Sequence, residues 1–394
     1  MLRGLFAALV LVFAASAQAQ SLFPLPPQPA GVAWPGADWE TAALPDDVDR
    51  AAYDLAVTQA FSGVDELMGE TRAVMVVQSG RVVFERYGDG YTRDMRLNSW
   101  SVGKSFTHAL VGAAVLQGRL GIDAPMGNPA WRAGDRRASI TWRQWLQMVD
   151  GLDYQESSAN TIEAGNARML FGDGRRDVIR WAAARPLIHD PGTRWNYTSA
   201  GTMLISDALT RVIVPDPRDA NDRRARMRAW MNTSLFDRIG IRPVVEFDPQ
   251  GTFYGSSLYW MTARDYARFG YLYLRDGVWN GERVLPEGWV DFARTPGPDT
   301  STDVYGAQWW LTPPTGTGRP DRSLIVNPDL RDAFSAQGYE GQIIVVVPSK
   351  DLVMVRLGRF DGGAEAWNAM GDWAGRFIGA FGDRPQQQGD GNVR

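Results

Sequence analysis

Cysteine is absent from the 394 residues. That excludes disulfide staples, thiol catalysis, thiolate metal sites and a lipidated N-terminal cysteine. Histidine occurs twice, at His108 and His189, too few for the common zinc-hydrolase ligand sets. No EF-hand-like loop offers a cage of carboxylates either, so neither a metal nor a cofactor is expected. Excess charge is also missing: 41 basic against 45 acidic residues leave a net charge of −4, which gives no electrostatic footprint for nucleic acid or anionic lipid. No stretch approaches the roughly 20 apolar residues of a membrane-spanning helix, and no internal repeat is visible. Lysine is the scarcest cation. Only Lys104 and Lys350 interrupt a positive charge otherwise carried by arginine.

What is present describes a folded globule, with 44% hydrophobic and 22% charged residues. The opening "MLRGLFAALVLVFAASAQAQ" has a basic start, an apolar run from Leu5 to Ala15, and Ala17 and Ala19 in an A-x-A arrangement. Residues 1–19 are therefore expected to be a signal peptide, with the mature chain periplasmic or secreted. Residues 20–45, rich in Pro, Gly and Ala, read as an extended arm. Residues 46–383 read as the folded domain and 384–394 as a disordered tail.

Within that domain a helix is expected over 47–61 and a hairpin from Ala73 to Tyr87, with Ser79-Gly80 as its turn. A helix opened by Ser101 is apolar on nearly every face up to Gly118, which places it centrally. Thr141 and Gln144 form a capping-box pattern, and Thr262 heads another helix. The Arg- and Asp-rich run at 215–230 reads as a solvated helix face. After about 300, "VYGAQWWLTP", "DAFSAQGYE" and the two halves of "GQIIVVVPSKDLVMVRLG" read as strands, followed by a helix over 364–380. Strands at both ends imply a sheet lobe, about 46–125 and 256–383, and a helical lobe, about 126–255. A cleft between lobes is where a site would sit.

Lys104 supplies the chemistry. In "SWSVGKSFTHALVGAAVLQGRLG" it stands three residues after Ser101, so on a helix both side chains share one face. At a helix start, the Ser101 backbone N–H is free to hold a developing oxyanion. A lysine enclosed by apolar residues is desolvated and its pKa falls, which makes a neutral amine available as a base. A hydroxyl nucleophile can be activated that way without histidine.

The segments "SWSVGKSFTHALVGAAVLQGRLGIDAPM", "ITWRQWLQMVDGLDYQE", "PGTRWNYTSAGTMLISDAL", "YGSSLYWMTARDYARFGYLYLRDGVWNGERVLPEGWV" and "AFSAQGYEGQIIVVVPSKDLVMVRLG" occur in that order. From about residue 50 to 380 they resemble the serine β-lactamase-like superfamily, and within it the class C β-lactamase-related branch of 6-aminohexanoate-dimer hydrolases and related esterases. The resemblance implies an α/β (α+β) fold of β-lactamase/transpeptidase type, with an antiparallel sheet from both chain ends flanked by helices, plus a mostly helical lobe. It implies Ser101 as the acylated nucleophile, Lys104 as its partner and Tyr197, in "NYTS", as the phenol that shuttles the proton to the leaving group. Ala336-Gln337-Gly338 aligns with the third motif. The backbone N–H groups of Ser101 and Tyr339 would then form the oxyanion hole.

Two departures from the family pattern concern substrate binding. Ser199 stands where the second motif has Asn, and the third motif, with Gln337 and Gly338, lacks its basic residue. Ser199, Gln337 and Gly338 are thus the expected substrate-binding positions, and the expected partner is a small-molecule amide or ester in place of a β-lactam. A β-lactamase, a D-Ala-D-Ala peptidase and a non-catalytic binding module on the same fold are the alternatives. In a Ser-His-Asp reading, "SWSVG" would approximate a nucleophile elbow. His108, however, lies about 10 Å along the helix from Ser101 by helical rise, too far to bond its hydroxyl.

Overall fold

Ser79 and Gly80 both take left-handed φ, 52° and 76°, as a two-residue type I′ hairpin turn requires. They join β1 (Glu70–Gln78) to β2 (Arg81–Tyr87), after a first helix α1 (Arg50–Phe61) capped by the Asp49 side chain. The computed structural model describes residues 25, 28–63, 66–299, 303–311, 330, 332–360 and 363–384. The expected signal peptide, and all of the expected tail except Arg384, lie outside the described residues. Arg384 itself is held by Asp47 at 2.7 Å and the Gln78 side chain at 2.6 Å.

Along the chain, β3 (Leu97–Asn98) leads through a 3₁₀ turn, Trp100–Val102, into α2 (Gly103–Leu116). The middle of the chain is helical. It contains α3 (Trp142–Leu146), α4 (Gly165–Leu170), α5 (Val178–Ala183), α6 (Ser199–Ile213) and α7 (Ala220–Met231), which a π turn over Asn232–Phe236 joins to α8 (Asp237–Ile239). Next come β4 (Val244–Val245), β5 (Tyr259–Met261), α9 (Ala263–Leu274), a small hairpin of β6 (Val278–Trp279) and β7 (Glu282–Arg283), and α10 (Trp289–Arg294). The chain returns to strands with β8 (Trp310–Leu311), β9 (Phe334–Gly338), β10 (Gln342–Val347) and β11 (Leu352–Arg359), and α11 (Ala364–Gly379) follows.

The main sheet is antiparallel throughout, in the order β2-β1-β11-β10-β9-β8, so both chain ends build it. Its central strands are continuously apolar because both faces are covered. Val74, Val76, Ile343, Val345 and Met354 pack with α1 and α11 on one side. Met75, Val77, Ile344, Val346 and Val353 face α9 on the other. That split follows the two-residue period of a strand.

The structure begins the α-helical part of the central helix at Gly103, two residues after the expected Ser101. Trp100 takes a left-handed φ of 43°, and the chain then tightens into a turn in which Gly103 N–H reaches the Trp100 and Ser101 carbonyls. From Gly103 to Ala114 every residue of α2 is buried. Of the expected strand "VYGAQWWLTP", residues 304–309 do not join β8, because Gln308, at φ 60°, breaks the extended chain; Thr312 and Pro313 lie outside the described residues. The Gln308 side chain instead bridges α6 and α3, accepting from Thr202 Oγ1 at 3.0 Å and donating to Leu146 O at 2.9 Å. β5 joins β3 and β4 in a separate three-stranded sheet.

Candidate active site

Lys104 lies one residue into α2, and its ammonium group ends among three oxygens. These are Ser101 Oγ at 3.0 Å, Ser199 Oγ at 2.8 Å and the Ser256 carbonyl at 3.3 Å. The residue is 1% exposed. Burial lowers its pKa to about 8, against the Glu156 charge, which raises it. An amine near 8 is an effective base at neutral to mildly alkaline pH.

Ser199 opens α6, with Thr198 as its N-cap. Glu156, on the loop after α3, grips that helix start with both oxygens. The Ser199 N–H donates to Oε2 at 2.8 Å and the Ser199 hydroxyl donates to Oε1 at 2.6 Å. Tyr197, two residues earlier, lays its ring face 4.8 Å from Lys104 Nζ. Its position is fixed by stacking on Trp310 (5.3 Å) and by the edge of Tyr305 (5.7 Å). The loop leading to it is anchored where Asn196 N–H donates to Met148 O and Asn196 Nδ2 donates to Tyr154 O. Tyr154 and Tyr305 are phenols in the same cluster. Burial foremost, and then charges including Glu156, push both well above the ordinary tyrosine value.

The end of β9 runs against the turn that carries Ser101. A Cβ added at Gly338 would collide with the Ser99 carbonyl and stand 3.1 Å from the Ser101 amide nitrogen, so glycine is required for this approach. The next residues form a turn, Tyr339–Gly341, in which Glu340 takes a left-handed φ of 63°. Trp100 meets this turn twice, by donating from Nε1 to Glu340 Oε2 at 3.2 Å and by an edge contact with the Tyr339 ring at 5.5 Å. Two non-glycine residues with positive φ therefore flank the serine and the turn opposite it. Backbone strain of this kind costs on the order of 1–3 kcal/mol per residue and concentrates at functional sites. Arg356, fully buried, braces the turn from below by donating to the Glu340, Gly341, Met68 and Glu70 carbonyls.

The beta-lactamase family profile matches residues 64–372, more than half of the chain. The chain belongs to the beta-lactamase family. The 6-aminohexanoate-dimer hydrolase of Paenarthrobacter ureafaciens is 26% identical to it over 322 residues, covering 76% of each protein. Among solved structures, a Bacillus anthracis protein provisionally named a 6-aminohexanoate-dimer hydrolase superposes with a TM-score of 0.65 at 18% identity, over 92% of this chain and 90% of that one. A penicillin-binding protein homologue from Caulobacter crescentus gives 0.58 at 15% identity, over 85% and 99%. These structural likenesses show the fold, a mixed helical and antiparallel-sheet architecture of beta-lactamase and penicillin-binding-protein type.

In this beta-lactamase-family protein the structure brings Ser101, Lys104, Tyr197 and Ser199 together, and sets Gly338 and the Tyr339 turn beside Ser101. Gln337 is buried with its amide on Ser335 Oγ at 3.0 Å. His108 is buried, stacks on Trp289, and shares a 2.7 Å hydrogen bond with the Tyr273 hydroxyl; burial pushes its pKa down to about 3. His189 sits on a loop, where its N–H donates to Gly151 O. Lys350 donates to Phe381 O and Asp383 at the far end of β10. Among the described residues no group of three or more His, Asp or Glu is placed to hold a metal ion, and no helix is long and apolar enough to cross a membrane.

Sequence reasoning missed Glu156, Ser256, Ser99 and Arg356. Ser99 is buried, and its hydroxyl donates to Ser257 O at 2.7 Å and accepts from Tyr259 N–H at 3.2 Å, tying the Ser101 turn to β5. Glu156 and Ser256 stand within the segments "GLDYQE" and "YGSS", but nothing in their spacing points at Lys104.

Proposed function

We propose that this protein is an exported serine hydrolase that cleaves an amide or ester through an acyl-enzyme on Ser101. The observation that carries the reading is the buried Lys104 amine 3.0 Å from the Ser101 hydroxyl. As Ser101 Oγ bonds to the substrate carbonyl carbon, its proton passes to Lys104 and the carbonyl π pair moves onto oxygen. The N–H groups of Ser101 and Tyr339 hold that oxyanion. On collapse the leaving group takes a proton through Tyr197, whose ring lies against the lysine. Water, activated by the same pair, then releases the acid and restores Ser101.

Two features support amides or esters over β-lactams. Ser199 occupies the second-motif Asn position and uses its hydroxyl on Lys104 and Glu156, and the third motif, Ala336-Gln337-Gly338, has Ala336 where the family has its basic residue. The Paenarthrobacter relative, by name a 6-aminohexanoate-dimer hydrolase, agrees with this direction. The test is a panel of a p-nitrophenyl acyl ester, a linear aminohexanoate-type amide and a chromogenic cephalosporin, run on wild type and Ser101→Ala. Ester or amide turnover lost in Ser101→Ala, with little cephalosporin hydrolysis, is the expected result. Rapid cephalosporin turnover would make the protein a β-lactamase instead. N-terminal sequencing of the protein from a secreting host tests export, with Gln20 expected as the first residue.

A further inference from the structure

We propose that Glu156, acting through the Ser199 hydroxyl, is a positioning residue that aims the Lys104 lone pair at Ser101. The inference rests on the acyl-enzyme reading above and follows from counting donors and acceptors. An ammonium has three N–H donors, and Lys104 has three oxygens to receive them. The working base is the neutral amine, with two N–H donors and one lone pair. One of the three contacts must then reverse, and only a partner with a proton to give can reverse it.

The Ser256 carbonyl has no proton. The Ser199 hydroxyl has one, and it is committed to Glu156 Oε1 at 2.6 Å. Toward Lys104, Ser199 can therefore present only lone pairs. Ser101 is left as the one neighbour able to donate, so the amine lone pair faces the nucleophile. The carboxylate is itself held in place, since its second oxygen receives the Ser199 N–H at 2.8 Å. That N–H belongs to the first residue of a fifteen-residue helix, where the free amides and the helix dipole favour an anion. Ser199 is 1% exposed, so bulk water does not compete for its proton.

The groups facing Lys104 are few. The α2 turn contributes Ser101, the loop before β5 contributes the Ser256 carbonyl, and α6 with its leading residues contributes Ser199 and the Tyr197 ring. Glu156 is the charge that acts on the amine, raising its pKa against burial. Tyr154 and Tyr305 complete the titratable groups of the cluster.

Glu156→Gln preserves shape while replacing one acceptor oxygen with an N–H donor. Its amide can donate to Ser199 Oγ and turn the Ser199 proton toward Lys104, where it competes with Ser101 for the lone pair. The burst-phase acylation rate should fall by roughly 10- to 100-fold. The acidic limb of its pH profile should move about one unit lower, because the charge that raises the Lys104 pKa is gone. Glu156→Asp should recover part of the rate. In a Ser199→Ala background, Glu156→Gln should change the acylation rate by less than about threefold, since the path between the two residues is already cut.

Losses that multiply in the double variant would overturn the proposal. So would a Glu156→Gln variant that loses thermal stability with its pH limb unmoved, since helix capping alone would explain it. Acylation of Ser101 in the wild type is followed by mass in the same experiment. Multiplied losses with Ser101 acylated defeat this inference alone, whereas absence of any Ser101 adduct defeats the acyl-enzyme reading and the inference with it.

Discussion

Lys104 Nζ and Ser101 Oγ stand 3.0 Å apart, one turn from each other at the foot of the central helix, with the amine 1% exposed. Burial brings the amine to about 8, so it gains its lone pair as pH rises through that value. With an uncharged substrate, kcat/KM should rise about tenfold per unit below pH 8 and level off above it. Lys104→Arg, which keeps the charge but does not deprotonate, should lose at least about 10³-fold. A flat profile between pH 6 and 9 in the wild type would contradict the assignment of the base.

Gly338 offers a test of the opposite wall. Gly338→Ala places a methyl group against the Ser99 carbonyl and the Ser101 amide, displacing the strand that carries Tyr339. Acylation should drop by about 10²- to 10³-fold, the usual cost of losing one oxyanion donor. Circular dichroism and thermal melting should show the fold retained. A variant acylating within threefold of wild type would remove the Tyr339 turn from the oxyanion hole.

The chain's legibility in sequence followed the range of the interactions. The Ser79-Gly80 turn, the two-sided apolar runs of β10 and β11, the Thr141/Gln144 capping box and the Thr262 cap are local patterns, and each forms where the residues predict. The Ser101–Lys104 spacing is equally local, being one helical turn. Glu156 reaches Ser199 across 43 residues of sequence, and the Ser256 carbonyl reaches Lys104 across 152. No periodicity encodes such closures. Trp100 takes a left-handed backbone beside a long-range hydrogen bond to Glu340, and neither shows in the local sequence.

Arg356 illustrates the same limit, since a charged residue inside an apolar strand gives no hint of its partners. Its guanidinium, held down by burial to about 9, donates to four carbonyls and to Thr71 Oγ1. Arg356→Leu leaves those buried acceptors without a donor and should destabilise the protein by about 3 kcal/mol. Urea unfolding measures the loss, and a shift under about 0.5 kcal/mol would show the acceptors are satisfied otherwise.

His108 makes the fold acid-sensitive. Its folded pKa of about 3 lies below the unfolded value near 6.5. The unfolded chain therefore binds the proton first, and stability falls as pH drops from 6.5 toward 3, by about 3 kcal/mol at pH 4. Asp150, pushed up to about 7 by burial, titrates in the opposite sense, losing stability as pH rises from 3.8 toward 7. The comparison is therefore between His108→Gln and wild type at each pH. The gap between their unfolding free energies should narrow or reverse as pH falls below 6.5. A constant gap from pH 7 to 4 would contradict the buried neutral imidazole.

The central claim is that Ser101 carries the acyl group. Intact-mass spectrometry of the protein, quenched within the first turnovers of a p-nitrophenyl ester, should show one added acyl mass, mapped by peptide digestion to Ser101 and missing from Ser101→Ala. Product release with no adduct on Ser101, or an adduct and full turnover surviving in Ser101→Ala, would contradict it.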